Sequence, residues 1–548
     1  MLSPRMIDYA ATAASFRWTV PERFNFARDV VDHSAADPAK PALLWCNEAG
    51  RERRFTFDDI ARASCRFANL LAAHGVGKGD RVVVMLPRLP EWQIAMVGTL
   101  RAGAIPIPCI DMLTAKDVAY RVGHSGAVAA VTTAANTAKF ADAARFKLRV
   151  SVDAADGWLE LGPALAAEPE TFAAVALAAD DPAIMYYTSG STGNPKGVTH
   201  AAHAIWAWRV SAWYWLDLRP GDLMWCTADT GWSKAGTSIL FGPWSCGAQV
   251  LFYDGRFDPR LRLELLARHR VTVFCAAATE LRRLIAEDFS GFDLSALRLA
   301  VSAGETVNPE VVRRWVEKTG RPLLDGYGQT ETLMTVLNYP CLPVKPGSMG
   351  KPLPGTEVAL VAPGGTLARG SATGELAVRL PNPQVMLGYW QEPAKTAAAK
   401  TVVDGVEYWL SGDVVRRDDE GYLFYEGRAD DVISSAGYRI GPMEVENALI
   451  EHPAVQESAA VASPDPERGE VVKAFVVLRP GHAPSDALAR ELQEHAKRVT
   501  APYKYPRRIE FVAELPKTAS GKLRRRELRD REFARANAPA IGDNPPPT

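Results

Sequence analysis

Short apolar runs alternate with helical patterns through most of the first 420 residues, and this rhythm restricts the fold more than any other feature. Residues 81–86 (RVVVML) read as a buried strand, 91–101 as a helix and 104–110 as a second strand. The same rhythm returns at 223–227, at 271–275, and at 297–301 before a helix over 309–318. Apolar strands separated by helices predict an α/β architecture of mainly parallel sheets covered on both faces. Ligands of such sheets sit beyond the carboxyl ends of the strands, so the loops after these strands are where chemistry is expected.

The pattern changes after Gly427. Pro442 opens an amphipathic helix, as proline does at a first helical position. Strands over 455–461 and 471–478, a helix over 486–499 and a strand over 508–511 follow. This is a small α+β domain of about 100 residues. A chain of 548 residues exceeds one ordinary domain. The expected division is a large N-terminal portion, 1–428, a small C-terminal domain, 432–534, and a disordered tail, 535–548.

With 47% hydrophobic and 23% charged residues the chain can build large cores. A net charge of −1 gives no electrostatic reason to expect nucleic acid or an anionic membrane as partner. Cys46, Cys65, Cys109, Cys226, Cys246, Cys275 and Cys341 are scattered and form no CxxC pair. They predict neither a disulfide framework nor a zinc site, and read as small buried hydrophobes. No apolar run of about 18 residues predicts a membrane span. The N-terminus lacks a basic segment followed by an apolar one, so a plain cytoplasmic start is favoured over secretion or organelle targeting.

The stretch YTSGSTGNPKG, 187–197, carries the first sign of chemistry. Gly190, Gly193 and Gly197 let backbone N–H groups approach phosphate oxygens. Thr188, Ser189, Ser191 and Thr192 add hydroxyl donors and Lys196 adds a point charge, with Asn194 and Pro195 expected in the same ATP-binding stretch. The loop is expected between an apolar strand, 183–187, and a helical segment. A P-loop of the kinase type needs Ser or Thr after Gly-Lys, but Lys196 stands between Pro195 and Gly197, so that reading fails on spacing.

Downstream lie DGYGQTE (325–331), SGD (411–413), GRADD (427–431) and PKTASGK (516–522). Together with the phosphate loop this ordered set resembles the adenylate-forming superfamily of acyl-CoA synthetases, adenylation domains and luciferases, over residues 40 to 530. Within it the segments 435–478 and 499–529 resemble medium-chain acyl-CoA synthetases. The resemblance implies packed N-terminal α/β subdomains and a mobile C-terminal domain, with ATP and magnesium bound between them, and domain alternation about a hinge, 429–431, at Asp430.

It also implies roles, each with a physical reason. Tyr327 stacks on adenine and Thr330 approaches the α-phosphate; Glu331, with Thr192, holds Mg²⁺, a cation that prefers hard oxygen ligands. Gly304, Glu305, Asp325, Gly326, Gly328 and Gln329 complete the nucleotide contacts. Asp413 accepts the ribose hydroxyls, and Arg428 and Arg439 hold the nucleotide. Lys522 is delivered to the charge that develops between carboxylate and α-phosphate; the RRREL run after it reads as a basic surface face. Ala436, Gly437 and Tyr438 meet pantetheine, while Arg468, Tyr503, Lys504 and Tyr505 meet the coenzyme A nucleotide. Relatives also imply a lysine acetyltransferase acting at Lys522, which would remove its charge.

The implied activity is that of an AMP-forming acid–thiol ligase: acid and ATP give acyl-AMP and pyrophosphate, and coenzyme A then takes the acyl group. Trp232, Gly326 and Gly328 are expected in the acyl pocket, with the 302–305 loop beside them. Acetate-type relatives carry tryptophan where this chain has Gly328, so a medium-chain, branched or aromatic acid is expected. Trp206, Trp208, Trp213, Tyr214 and Trp215 read as core. Lys234 either faces solvent or selects a polar substrate. The competing functions are a stand-alone adenylation enzyme that loads a carrier protein, an oxidase of the luciferase kind, and a non-catalytic scaffold on the same fold.

Overall fold

The computed structural model describes residues 5–141, 145–188, 194–429, 431, 433–435, 438–465, 469–500, 504–517 and 523–537, with only the backbone of 434, 438 and 439. The apolar runs form strands as expected. Arg81–Val84 pairs in parallel with Ile105–Pro108 and Ala129–Thr132, and Leu148–Ser151 and Leu159–Glu160 extend the same parallel sheet. A nine-stranded sheet carries the other runs. Pro41–Asn47, Gln249–Asp254, Leu223–Cys226, Val273–Cys275, Leu299–Ala303 and Leu323–Gln329 lie parallel in that order. Antiparallel strands close its edges: Glu52–Thr56 at one, Leu333–Leu337 and Lys351–Pro352 at the other. Since the central strands share one direction, the loops bearing Trp232 and Glu305 leave from the rim at which the strand Leu323–Gln329, with most of the 325–331 motif, ends.

Local chemistry explains the helix ends that carry these loops. Pro309–Thr319 starts with an Asn308 cap and proline in its first turn, and stops at Gly320, whose φ of 65° suits glycine. Trp208 and Trp215 are fully buried and Trp206 and Tyr214 nearly so, in the core with Phe241 and Trp244. The tryptophan cluster is therefore core, as expected.

The expectation for the phosphate loop is corrected. The phosphate loop does not run from strand into helix. Pro182–Thr188 turns back into a second strand, Lys196–Ala201, antiparallel to it, with Thr188 opposite Lys196. The helix Ala202–Tyr214 begins only afterwards. The β-branched and aromatic residues of Val198-Thr199-His200 favour the strand. The residues on either side of 189–193 are thus the two strands of a hairpin, and among the described residues a strand, not a helix, follows.

The chain divides into two compact units. One holds the residues up to Val358 with Val378–Trp409; the other holds Ala359–Ala377 and the residues from Leu410 on. The boundary expected at 428 falls inside the second unit, and Asp430 lies outside the described residues.

In the second unit the helix Pro442–Ile450 precedes the antiparallel pair Val455–Asp465 and Gly469–Leu478. The helix Asp486–Val499, capped by Ser485, leads to Arg508–Phe511, which pairs in parallel with Gly469–Leu478. Ile433, Val445, Leu449, Val476 and Leu492 fill the core.

The basic run after Lys522 differs from expectation. It starts the helix Arg525–Asn537, and Arg525 turns inward to buried Glu446, with Nε–Oε1 at 2.8 Å and Nη2–Oε2 at 2.6 Å. The ordered chain also extends past Arg535 to Asn537. Among the described residues no helix is long and apolar enough to cross a membrane.

Candidate active site

The hairpin brings the phosphate-loop lysine to the third strand of its sheet. Gly388–Tyr389 pairs antiparallel with Lys196–Ala201, setting Tyr389 opposite Val198 and diagonal to Lys196. Lys196 Nζ donates to the Tyr389 hydroxyl at 3.0 Å and lies 4.1 Å from the centre of its ring. That hydroxyl donates in turn to Glu331 Oε1 at 2.9 Å. Lys196 and Glu331, expected on phosphate and on the metal, are thus joined by one phenol. At the loop entrance Thr188 Oγ1 is buried without a hydrogen-bond partner among the described residues, and Tyr120 donates to the Pro195 carbonyl at 3.1 Å. A cation, a carboxylate and an orphaned hydroxyl suit a magnesium-bound polyphosphate. Ser189, Gly190, Ser191, Thr192 and Gly193 lie outside the described residues; Asn194 is exposed.

The 325–331 motif is held from several sides. Burial pushes the Asp325 carboxyl up to about 7, while N–H donors of Val307 and Gly326 and the charge of Lys234 pull it back. Asp325 therefore brackets the loop after Ala303 against its own strand. Thr330 Oγ1 lies 3.2 Å from Ser233 Oγ, beside Trp232, which precedes the short helix Ser233–Ala235. Tyr327 and Gln329 are half-buried on the same strand; Gly304 is exposed with φ of 90° and Glu305 is half-buried.

His200 is a residue that the sequence reading did not single out. Its Nε2 lies 2.6 Å from the Thr330 carbonyl, its ring packs beside Trp208, and it is fully buried. Burial lowers its pKa from 6.5 to about 4, although the Thr330 carbonyl pulls the other way. The ring is neutral at pH 7, with Nε2–H as donor. The unfolded chain takes up a proton near pH 6.5 and the folded one only near pH 4, so stability is lost as pH falls through that window, by about 3 kcal/mol. In urea unfolding at pH 7 and pH 4.5, His200→Gln is expected to flatten this loss.

Gly326 and Gly328 have a more immediate reason to be glycine than an open pocket. A Cβ on Gly328 would lie 2.0 Å from the Leu333 carbonyl oxygen, and one on Gly326 would lie 2.6 Å from Leu337 and 2.9 Å from Trp215. The strand turns back at Leu333, whose φ is 54°, and its backbone fills the space a side chain would need.

Lys234 does not extend into solvent: it is half-buried, and its Nζ donates to the Ala303 carbonyl at 3.1 Å. Burial works against its charge, but the sulfurs of Cys275 and Cys226 and the carboxylates of Glu305 and Glu280 outweigh it and hold its pKa above the ordinary value. Cys226 and Cys275 face each other across parallel strands. Burial opposes a Cys275 thiolate, yet the Cys226 hydrogen bond and the Lys234 charge bring its pKa down.

In the second unit a hairpin unites two motifs that stand apart in sequence. Asp413 and Arg428 are register partners on Val406–Arg417 and Leu423–Arg428, and Arg428 Nη1 donates to buried Asp413 Oδ1 at 3.2 Å. Lys504, expected on coenzyme A, pairs with Glu444 at 2.5 Å. Tyr505 packs on the core between Lys497 and Arg507, and its hydroxyl accepts from Arg507 at 3.0 Å. Tyr438 and Arg439 form the strand Tyr438–Ile440. Ala436, Gly437, Arg468, Tyr503 and Lys522 lie outside the described residues.

Known proteins resemble this chain in sequence and fold. The AMP-binding enzyme family matches residues 30–390, and the AMP-binding enzyme C-terminal domain matches 444–522. The chain is 41% identical to human mitochondrial acyl-coenzyme A synthetase ACSM3, over 96% of this chain and 92% of that protein. It is also 41% identical to the uncharacterized acyl–CoA ligase YtcI of Bacillus subtilis, over 93% and 97%. The crystal structure of the anthranilate CoA ligase AuaEII with anthranoyl-AMP superposes with a TM-score of 0.86 at 30% identity, covering 96% of this chain and 99% of that one. With both family regions in order and near full-length identity to acyl-CoA synthetases, this chain belongs to the AMP-binding enzyme family of adenylate-forming enzymes.

Proposed function

We propose that this protein is an ATP-dependent acyl-CoA synthetase. The observation that carries the reading is the convergence of Lys196 and Glu331 on Tyr389, which sets a cation and a carboxylate side by side at the root of the phosphate loop. In the first step the acid's carboxylate oxygen attacks the α-phosphorus of ATP, and pyrophosphate leaves with the electrons of the broken P–O bond. In the second the thiol of coenzyme A adds to the acyl carbon, gives up its proton, and AMP departs. Lys196 grips the polyphosphate, Glu331 is the residue to hold magnesium, Asp413 takes the ribose, and Lys522 meets the charge developing at the α-phosphate. Magnesium, when bound, supplies neutralisation of phosphate charge. No protein nucleophile takes part.

The C-terminal domain turns about Asp430 between the steps, and 436–438 with Arg468, Tyr503, Lys504 and Tyr505 receive coenzyme A; the Lys504–Glu444 pair must then open or shift. The acid is medium-chain, branched or aromatic: the relatives include ACSM3 and an anthranilate CoA ligase. The site of action is the cytoplasm, and acetylation of Lys522 by a lysine acetyltransferase switches adenylation off; fractionation and mass spectrometry of the native protein test these two points.

The deciding experiment is pyrophosphate release with acids from acetate to dodecanoate, branched acids and benzoates, each with and without coenzyme A. Acid-dependent release with acyl-CoA formation is expected, strongest away from acetate. Transfer only to a carrier protein, or no release with any acid, overturns the reading.

A further inference from the structure

Tyr389 occupies a place that none of the sequence motifs marks. The segment that carries it is stitched to both halves of the site. Leu387 N–H donates to the Thr199 carbonyl at 2.9 Å and Trp390 N–H to that of Gly197 at 2.7 Å, tying it to the phosphate-loop strand. Met386 N–H donates to the carbonyl of Glu331 itself at 2.8 Å. The Tyr389 N–H is taken by Thr396 Oγ1 at 2.9 Å, and the ring leans on Trp409 at 6.2 Å. The phenol is thus placed by backbone pairing.

A lysine and a glutamate that both reach one phenol oxygen could, without it, form a direct ion pair, each neutralising the other. An incoming nucleotide would then have to break that pair before either charge could serve it. The phenol stands between them: a lone pair of its oxygen receives Lys196, and its hydrogen goes to Glu331. Both contacts are to charged groups, the stronger class of hydrogen bond.

We propose that Tyr389 is a positioning residue for magnesium–ATP, whose hydroxyl keeps Lys196 and Glu331 apart and aimed so that the nucleotide and its cation meet two charges not yet spent on each other. This rests on the roles given above to Lys196 and Glu331.

The test uses the full chain with Tyr389→Phe, which keeps the ring and its stacking and removes only the hydroxyl. Calorimetric titration with ATP at fixed magnesium, and with magnesium at fixed ATP, is done without acid, so that binding is read apart from turnover. The ATP Kd and the half-saturating magnesium concentration are each expected to rise about tenfold or more, the range for a lost hydrogen bond to a charged group. Thioester formation from supplied acyl-adenylate and the melting temperature are expected to stay as in wild type. In a Glu331→Gln background, adding Tyr389→Phe is expected to change the magnesium dependence no further.

Unchanged titrations overturn the proposal. So does a proportional loss in both half-reactions with a lowered melting temperature, which marks a purely structural tyrosine. If wild type binds magnesium–ATP with the expected Tyr389 dependence but releases no pyrophosphate with any acid, the acid-activation reading falls and the positioning role stands. Wild type that binds no ATP overturns both.

Discussion

Lys522→Ala is expected to slow pyrophosphate release from acid and ATP by about 10²–10³-fold, the loss that follows removal of one preorganised donor aimed at developing charge. Acyl transfer from a supplied acyl-adenylate to coenzyme A is expected to keep its wild-type rate, because in that substrate the bond between carboxylate and α-phosphate is already made and the charge that Lys522 serves no longer has to develop. The two half-reactions, measured separately, decide the matter; equal losses in both would remove Lys522 from the adenylation step. Lys517 and Leu523 are bridged as antiparallel partners, and Arg524 N–H donates to the Pro516 carbonyl at 2.9 Å.

Arg525→Ala is expected to cost the C-terminal unit about 3–5 kcal/mol, because it strands a buried carboxylate. Glu446 is 4% exposed and accepts from both Arg525 nitrogens and from the Ala460 N–H at 2.8 Å. Burial opposes the Arg525 charge, but Glu446 outweighs it and raises its pKa. Urea unfolding followed by hydrogen exchange in the C-terminal unit, which holds none of the chain's tryptophans, reads the loss. The double replacement Arg525→Met with Glu446→Met is expected to recover much of it, since it leaves no unpaired charge. Arg525 also anchors the helix that begins just after Lys522, so the single variant is expected to weaken adenylation more than thioester formation at temperatures near its midpoint. A loss below 1 kcal/mol would show that water reaches the pair and that it contributes as a surface pair does.

Much of the fold was legible because it follows local rules. Apolar runs of four to eight residues between helical patterns can only be buried strands of a covered sheet, and 81–84, 223–226 and 299–303 formed within two residues of expectation. The helix Asp486–Val499 and strand Arg508–Phe511 took the expected bounds, the first because Ser485 caps it. The phosphate loop misled at its far side: glycines and a lysine announce anion binding, but whether strand or helix follows depends on which neighbour pairs with 196–201. Arg525 misled likewise, because an arginine in a basic run shows no local sign that a glutamate 79 residues away will bury it.

The sequence by itself determined the succession of elements, the absence of a kinase-type loop, and the residue types proposed for phosphate, ribose and cation, since each depends on periodicity or on chemistry within a few positions. Tertiary structure alone decided which of them meet. Tyr389 reaches Lys196 across 193 residues and Glu331 across 58, His200 reaches Thr330 across 130, and the strand at Leu333 fills the space beside Gly328. Such meetings follow from strand register and from the closure of long loops. The free energy of both is spread over the whole sheet, so no short stretch of sequence encodes them.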